Sequence, residues 1–255
     1  MNNVHRISAL GWVLWIGVAA PSMLRGAEAT TAASRGPADI VMFGDSTTAL
    51  RPGKITAVYT ARVGEALSRT DPTLRVANAG VGGNTTADAR ARFERDVLAR
   101  HPRIVVMQFG INDACMRIYK KPPETACRVS LADYEENLRA MIGAARAHGI
   151  KVVLMTTNPL RWTDELRGYY GRAPYLPESV DGFESPFLSH YNECVRRLAA
   201  ELRVPLVDIN AVFLGAARRS GQPVEHWLLD GMHPNDDGHQ LVTDALLPVL
   251  RAELK

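Results

Sequence analysis

Short apolar runs alternate with amphipathic stretches along most of this chain, and this alternation limits its fold more than any other feature. Helical patterns fill the intervals; residues 130–149, for example, combine a capping sequence, an apolar face and a terminating glycine. Repeated strand–helix alternation predicts a parallel sheet with helices on both faces. No internal repeat or linker interrupts the pattern, so residues 38–255 are expected to form one domain. The runs predicted to be buried strands are residues 40–43, 75–77, 104–109, 152–155 and 204–209.

The N-terminal 29 residues have the pattern of a secretory signal peptide. Arg6 precedes an apolar stretch over residues 7–24, and Ala27-Glu28-Ala29 places small residues at the two positions that a signal peptidase reads. We therefore expect a signal peptide over residues 1–29, a short flexible segment over residues 30–37, and a secreted or periplasmic protein.

An uncleaved membrane anchor is the alternative interpretation, because about 18 apolar residues can barely span a bilayer. Pro21 and the small, polar residues 29–37 favour cleavage, and hence no stable membrane insertion. No cysteine lies directly after the apolar stretch, which argues against a lipid-anchored lipoprotein.

The charge distribution of the chain does not indicate a nucleic-acid-binding surface. The 30 Lys and Arg residues against 27 Asp and Glu give a formal net charge of +3, and the basic residues are scattered. A nucleic-acid-binding surface needs a clustered basic stripe. No nucleic-acid partner is therefore expected.

Three cysteines follow the expected cleavage point: Cys115, Cys127 and Cys194. In an oxidising compartment, Cys115 and Cys127 are expected to form a disulfide that closes the short loop between them. Three unpaired thiols are the alternative, because sequence alone does not fix connectivity. Cys194 shares a helical face with apolar residues and is expected to be a small buried side chain.

Two short segments contain residues suited to acyl transfer. Gly44-Asp45-Ser46-Thr47 follows the first predicted strand, which exposes Ser46 at the mouth of the sheet, where a nucleophile must lie. Asp230 and His233 stand three residues apart around a glycine, so one tight turn can bring a carboxylate to an imidazole. Each segment alone has a structural alternative: a helix cap at Ser46, and a structural pair at Asp230 and His233.

Two further segments follow the second and third predicted strands. Residues 78–86 contain three glycines, which let a backbone approach a ligand closely and aim its N–H groups outward. Neither a Gly-Lys-Ser/Thr sequence nor an opening G-x-G-x-x-G is present, so nucleotide binding is not expected. Gly110-Ile111-Asn112-Asp113 offers the Asn112 amide as a donor to an oxyanion, with an Asx-type turn as the alternative.

Taken together, these segments resemble the SGNH (or GDSL-type) hydrolase family. The resemblance runs from about residue 38 to about residue 250 and implies a flavodoxin-like three-layer α/β/α sandwich with a five-stranded parallel sheet. The four family blocks are matched by Gly44-Asp45-Ser46, by residues 78–86, by Gly110-x-Asn112-Asp113 and by Asp230-x-x-His233-Pro234.

The resemblance implies a role for each matched residue. Ser46 would be the nucleophile, His233 the general acid and base, and Asp230 the group that orients His233. The backbone N–H groups of Ser46 and Gly83, with the side-chain amide of Asn112, would form the oxyanion hole. This chemistry needs no cofactor and no metal.

A long connection rich in aromatic residues, residues 158–186, follows the fourth predicted strand at the edge where open α/β sheets place their ligands. It is expected to stack on sugar rings or to enclose an acyl chain, and a self-packed surface loop is the alternative. The candidate substrate-binding residues are Asp45, Trp162, Tyr169, Tyr170 and Trp227.

Two other enzyme classes are alternative interpretations of these residues. The α/β-hydrolase elbow requires G-x-S-x-G, which the sequence around Ser46 does not supply. A metal enzyme is suggested by the crowding of His226, His233 and His239 with nearby aspartates, yet no recognised zinc spacing is present.

The sequence therefore predicts an exported serine carboxylic-ester hydrolase that acts on a small-molecule or polysaccharide ester, with short-chain esters such as O-acetyl groups on carbohydrates favoured. An O-acetyltransferase with the same triad, a lysophospholipase or long-chain lipase, and a non-catalytic glycan-binding module remain as alternatives.

Overall fold

The computed structural model describes residues 37–179, 182–184 and 187–255, so the expected signal peptide lies outside the described residues. Five parallel strands form one sheet in the order β2-β1-β3-β4-β5. This is the strand order of flavodoxin-like folds, and the expected α/β architecture is confirmed. The strands are β1 (Ile40–Gly44), β2 (Val76–Gly80), β3 (Ile104–Gln108), β4 (Lys151–Met155) and β5 (Leu206–Val207).

Helices cover both faces of the sheet and make the three layers. Helices α2, α4 and α6 pack beside one another on one face, and α1, α7 and α8 pack on the other. The α-helices in chain order are α1 (Tyr59–Ser68), α2 (Thr86–Asp96), α3 (Ile111–Ala114), α4 (Leu131–Ala147), α5 (Asp164–Tyr170), α6 (Leu188–Leu202), α7 (Ile209–Ser220) and α8 (Asp236–Glu253).

The central strand β1 shows why the apolar runs are continuous rather than alternating. All five of its residues are buried. Val41 and Phe43 belong to the core under α2, α4 and α6, whereas Ile40 and Met42 belong to the core under α1, α7 and α8. A strand that is covered on both faces needs apolar side chains at every position.

Strand β5 is shorter than its sequence pattern predicts. The apolar run covers residues 204–209, but only Leu206–Val207 form the strand. The side chain of Asp208 accepts a hydrogen bond from the Ala211 N–H (3.1 Å) and so caps α7. The cap ends the strand and turns Ile209 into the first residue of a helix. Within the described residues, no helix is both long enough and apolar enough to cross a membrane.

Candidate active site

Ser46 lies in the turn directly after β1, at the carboxyl edge of the sheet. The strand ends at Gly44, where an added Cβ would lie 2.0 Å from the Thr48 Oγ1 atom, so the turn folds back tightly over the strand end. The Ala49 N–H closes the turn with a 3.0 Å hydrogen bond to the Asp45 carbonyl. Ser46 is left half-buried, with its hydroxyl available at the sheet edge.

His233 joins Ser46 to Asp230 through an unbroken line of hydrogen bonds. The His233 Nε2 atom lies 3.0 Å from the Ser46 Oγ atom, and the His233 Nδ1 atom lies 2.8 Å from the Asp230 Oδ2 atom. An ionised carboxylate only accepts, so Nδ1 carries the proton and Nε2 is free to accept from the serine hydroxyl.

The segment between the last two helices holds Asp230 and His233 in one tight turn. Leu228 and Pro234 form an antiparallel bridge, and Asp230 Oδ1 accepts the backbone N–H groups of Met232 (3.1 Å) and His233 (2.9 Å). Burial of Asp230 raises its pKa, but hydrogen bonds from His233 and these backbone groups outweigh burial and hold the pKa far below its usual range. Asp230 therefore stays ionised beside the imidazole at any ordinary pH.

Gly231 fits this turn against the segment that follows β4. It has a φ of +80°, and an added Cβ would lie 2.4 Å from the Arg161 carbonyl oxygen. The Arg161 N–H donates to the Gly231 carbonyl (2.7 Å), and the Asn158 side chain donates to the Met232 carbonyl (2.9 Å). Residues 158–161 and the turn at Gly231 are thus clamped together, and a side chain at position 231 would separate them.

The glycine loop and Asn112 reach the same edge of the sheet as Ser46. A Cβ on Gly82 would lie 3.8 Å from the Ser46 Cβ atom, and the next residue, Gly83, is exposed with a φ of +78°. The Asn112 Nδ2 atom lies 3.4 Å from the Asp45 Oδ2 atom, beside the Ser46 turn. The glycine loop and Asn112 therefore both lie beside the Ser46 turn.

Arg92 connects these segments, although no sequence motif marks it. Its guanidinium donates to the Gly44 carbonyl (2.9 Å), the Ala79 carbonyl (2.8 Å) and the Asn84 side chain (2.7 Å), and it pairs with Asp96 at 3.0 Å. The sequence gives one signal for it: Arg92 stands three residues after Ala89 and directly before Phe93, which places it on the same helix face as these two apolar residues. Burial lowers the pKa of Arg92, and the carboxylate of Asp96 opposes that effect.

Asp113 fixes the third motif to the end of the second. One of its carboxylate oxygens accepts from the Thr86 N–H (2.7 Å) and hydroxyl (2.5 Å). Its other oxygen, Oδ2, is buried and has no partner among the described residues. Burial raises the pKa of Asp113 to about 6, although the hydrogen bonds from Thr86 act in the opposite direction.

Asp45, expected among the substrate-binding residues, is 1% exposed and has a structural position. Its carboxylate accepts from the Thr47 N–H and lies 2.9 Å from the Thr47 hydroxyl, with Asn112 on the other oxygen. Burial raises its pKa, and the hydrogen bonds of Thr47 lower it. Asp45 thus stabilises the Ser46 turn through these hydrogen bonds and does not line either cavity described below.

Two cavities adjoin these residues. The larger, of about 390 Å³, is lined by both His233 and Asp230. The smaller, of about 60 Å³, is lined by Asn112 and mainly apolar side chains. The remaining residues of the larger cavity are Tyr119, Glu165, Leu166, Tyr169, Tyr170 and Met232.

The expected aromatic substrate-binding residues divide into two groups. Tyr169 and Tyr170 line the larger cavity, as their place in the connection suggested. Trp162 and Trp227 line neither cavity: Trp162 is buried against Phe183 (5.2 Å between ring centroids), and Trp227 belongs to the core under α1, α7 and α8. Large rings that fill core space have no surface left for a substrate.

The predicted disulfide between Cys115 and Cys127 is wrong for this structure, in which Cys115, Cys127 and Cys194 are free thiols. The Cys115 Sγ atom lies 3.5 Å from the Tyr170 hydroxyl and lines the smaller cavity, whereas Cys127 lines a separate surface cavity beside Arg128. Cys194 is buried as expected.

The acidic and histidine residues that suggested a metal have other partners. The Asp236 carboxylate accepts from the Thr56 N–H (3.1 Å) and from Arg62 (2.7 Å). His239 is 1% exposed, and its Nδ1 atom accepts the Tyr59 N–H at 3.3 Å. These side chains support the start of α8 and do not converge on His233.

Residues 42–241 match the GDSL-like Lipase/Acylhydrolase family, and the chain belongs to this family. It is a carboxylic ester hydrolase. The chain is 33% identical over 221 residues to the uncharacterized lipoprotein YqeF of Bacillus subtilis (strain 168), which covers 83% of this chain and 89% of that protein. It is 29% identical over 177 residues to an acetylxylan esterase of Geobacillus stearothermophilus, which covers 68% of this chain and 71% of that protein.

The crystal structure of Axe2, an acetylxylan esterase from Geobacillus stearothermophilus, is similar with a TM-score of 0.63. The match has 27% identity and covers 84% of this chain and 95% of Axe2. Axe2 structures described as catalytic mutants replace one serine, one aspartate and one histidine with alanine, and the aspartate and histidine stand three positions apart.

Proposed function

We propose that this esterase removes short acyl groups, acetyl above all, from carbohydrates, with Ser46, His233 and Asp230 as its catalytic triad. The observation that carries the proposal is the continuous hydrogen-bond line from Ser46 through His233 to Asp230. The three-residue spacing of Asp230 and His233 is also the spacing of the aspartate and histidine replaced in the catalytic mutants of Axe2.

In the first half of the reaction, the Ser46 oxygen attacks the ester carbonyl while His233 Nε2 takes the serine proton. Asp230 stabilises the imidazolium that forms, because its pKa is held low and the carboxylate stays charged. The tetrahedral intermediate collapses when His233 returns the proton to the leaving alcohol oxygen. The products are an acyl-Ser46 ester and a free alcohol.

In the second half, His233 takes a proton from water, and the hydroxide attacks the acyl-Ser46 carbonyl. Collapse of this intermediate restores the Ser46 hydroxyl and releases the carboxylic acid. In both halves, the charge on the carbonyl oxygen is stabilised by the N–H groups of Ser46 and Gly83 and the Asn112 amide. Asp45, in contact with Asn112, supports the direction of that amide.

The preference for a short acyl group is supported by the size of the smaller cavity. It measures about 60 Å³, is lined by Asn112 on one side, and is otherwise enclosed mainly by apolar residues such as Leu160 and Leu188. A cavity of this size suits an acetyl group. The similarity to an acetylxylan esterase also favours acetyl groups on a carbohydrate.

We also propose that the protein is exported and that cleavage near Ala29 leaves a short segment, residues 30–37, followed by one catalytic domain, residues 38–255. The signal-peptide pattern over residues 1–29 supports export. The description of a relative as a lipoprotein is consistent with an extracytoplasmic substrate, although Cys115 is the first cysteine of this chain.

The test is hydrolysis of p-nitrophenyl esters from acetate to palmitate by the purified protein and by Ser46→Ala. We expect activity that is highest at acetate or butyrate and is lost in Ser46→Ala, with Ser68→Ala, an exposed serine at the end of α1, as the matched control. Activity that survives the loss of Ser46 contradicts the triad, and a maximum at palmitate contradicts the short-chain proposal. Transfer of the acetyl group to an added sugar, instead of release as acetate, would identify an acetyltransferase.

A further inference from the structure

We propose that the larger cavity beside His233 receives the leaving alcohol, and that Tyr119 and Glu165 select a neutral carbohydrate as that alcohol. This inference rests on the proposed function, because it assigns one side of the same reaction to this cavity. No sequence motif marks either residue: Tyr119 follows α3, and Glu165 lies in the first turn of α5.

The position of His233 decides which cavity takes the alcohol. The group that protonates the leaving oxygen must lie within hydrogen-bond reach of it. The larger cavity is lined by His233 and Asp230, whereas the smaller cavity is lined by Asn112 and by neither of those two residues. The acyl group therefore belongs with Asn112 and the alcohol with His233.

The size of the larger cavity fits an alcohol the size of a sugar. Its volume of about 390 Å³ falls within the range of ~300–1,000 Å³ that is typical of small-molecule sites. An alkyl alcohol from a simple ester would leave most of this space to water.

Two tyrosine rings give this cavity an exposed aromatic surface. Tyr119 is 41% exposed and Tyr169 is 48% exposed, whereas the neighbouring Tyr170 is 7% exposed. Their rings pack edge to face at 5.4 Å, and Tyr119 also packs against the buried Tyr170 at 5.4 Å. These contacts orient the exposed rings while leaving their surfaces free, and each ring combines an apolar face with a hydroxyl.

Glu165 adds a hydrogen-bond acceptor to the same surface. It stands one helical turn before Tyr169 on α5, is exposed, and its carboxylate makes no hydrogen bond or ion pair with any other described residue. A carboxylate accepts strong hydrogen bonds from hydroxyl groups, and it repels anions. Together with the tyrosines, it suits the hydroxyls and C–H faces of an uncharged sugar better than an alkyl chain or a phosphorylated alcohol. We call Tyr119, Glu165 and Tyr169 the outer wall.

The experiment compares two acetate esters that differ only on the alcohol side: an acetylated xylooligosaccharide and ethyl acetate, whose alcohol is too small to contact the tyrosines. Tyr119→Ala and Glu165→Gln are each expected to lower kcat/KM for the oligosaccharide about five- to tenfold, as expected for the loss of one stacking or hydrogen-bond contact. Activity on ethyl acetate should stay within about twofold. Leu131→Ala, at the same 41% exposure as Tyr119, and Glu178→Gln, an exposed glutamate outside the cavity, are matched controls.

A parallel fall for both esters, or an unchanged rate on the oligosaccharide, overturns the inference. Calorimetric binding of xylotetraose to the Ser46→Ala protein separates it from the proposed function. Binding that weakens in the Ser46→Ala, Tyr119→Ala double variant supports the cavity assignment even if the wild-type protein hydrolyses no ester. Binding that is absent, or independent of Tyr119, counts against the cavity itself.

Discussion

The residues around Ser46 and the outer wall lie at the same edge of the sheet, but they are held in opposite ways. The Ser46 turn and the glycine loop share the buried guanidinium of Arg92, which bonds to both segments. In the outer wall, Glu165 has no partner among the described residues, and Tyr119 is held by ring contacts alone.

This difference separates two kinds of requirement. Transition-state stabilisation needs donors fixed to within a fraction of an ångström, and buried hydrogen bonds supply that fixity. Recognition of one alcohol among many needs exposed groups that can be replaced without disturbing the fold. Substitutions in the first region should therefore reduce activity on every ester, and substitutions in the outer wall should change only the preference among esters.

The largest effect is expected from Asp230→Asn, which breaks the chemistry and leaves both regions in place. An amide at this position can donate to His233 Nδ1 and favour the wrong tautomer, so kcat should fall about 10⁴-fold on all esters. Asp237→Asn, an exposed neighbour, should be neutral. Rates on the ester series decide this, and a loss of only tenfold would contradict the role of Asp230.

The next effect is expected from Arg92→Ala, which breaks the link between the Ser46 turn and the glycine loop. Loss of a buried arginine from its carboxylate and carbonyl partners should lower the free energy of unfolding by about 3–5 kcal/mol. Chemical denaturation measures this, with Arg90→Ala, an exposed residue of the same helix, as the control. Arg92→Lys keeps the charge but lacks the planar guanidinium that reaches Gly44, Ala79 and Asn84 at once. We expect this variant to stay folded and to have a lower kcat on every ester. Full kcat in Arg92→Lys would show that the link is only structural.

A smaller effect is expected from Asn112→Ala, which removes one donor and leaves the fold intact. The expected loss is about 10²–10³ in kcat, with little change in melting temperature. Asn112→Asp has nearly the same shape but no N–H donors, and its carboxylate would face that of Asp45, so it should be impaired at least as much. Near-normal turnover in either folded variant would remove Asn112 from the oxyanion hole.

The smallest effect is expected at a buried histidine outside both regions. This prediction distinguishes unfolding at low pH from loss of activity at low pH in the folded protein. Burial lowers the pKa of His239 to about 4, against 6.5 in an unfolded chain, so the fold favours the neutral imidazole. Its stabilising contribution is present above pH 6.5 and is lost as pH falls from 6.5 to 4, which amounts to about 3 kcal/mol.

In His239→Asn, the Oδ1 atom lies close to the position of the imidazole Nδ1 atom, so it can still accept the Tyr59 N–H, and the amide cannot titrate. The stability of this variant should therefore depend less on pH over that interval. Denaturation at pH 7 and pH 4 compares the two proteins, and Asp113 contributes equally to both. If wild type and variant lose the same stability, His239 is not the group that titrates.

The sequence predicted the strands, the sheet and the motif residues because these depend on local signals. An apolar run such as residues 104–108 can only be a buried strand in this context, and Ser46, Asp230 and His233 lie in recognisable short segments. The roles of Arg92 and Tyr119 were missed because they depend on long-range packing, which places α2 beneath two loops and brings residue 119 beside residue 169.

The errors have the same origin. Trp162 and Trp227 were assigned to the substrate because large aromatic rings serve equally well in a core or at a surface, and only the packing of Phe183 and of α8 decides between them. The proposed Cys115–Cys127 pair followed from spacing, whereas the direction of each thiol depends on the tyrosines and the loop around it.

The clamp between residues 158–161 and the turn at Gly231 has a consequence for protein engineering. Because Asn158 and Arg161 bond directly to the turn that contains His233, the position of this turn is tied to the segment that leads into helix α5. A chimera that takes its α5 segment from a relative with another substrate should inherit a displaced histidine unless the 229–234 turn is transplanted with it. The α5 segment and the 229–234 turn should therefore be exchanged together.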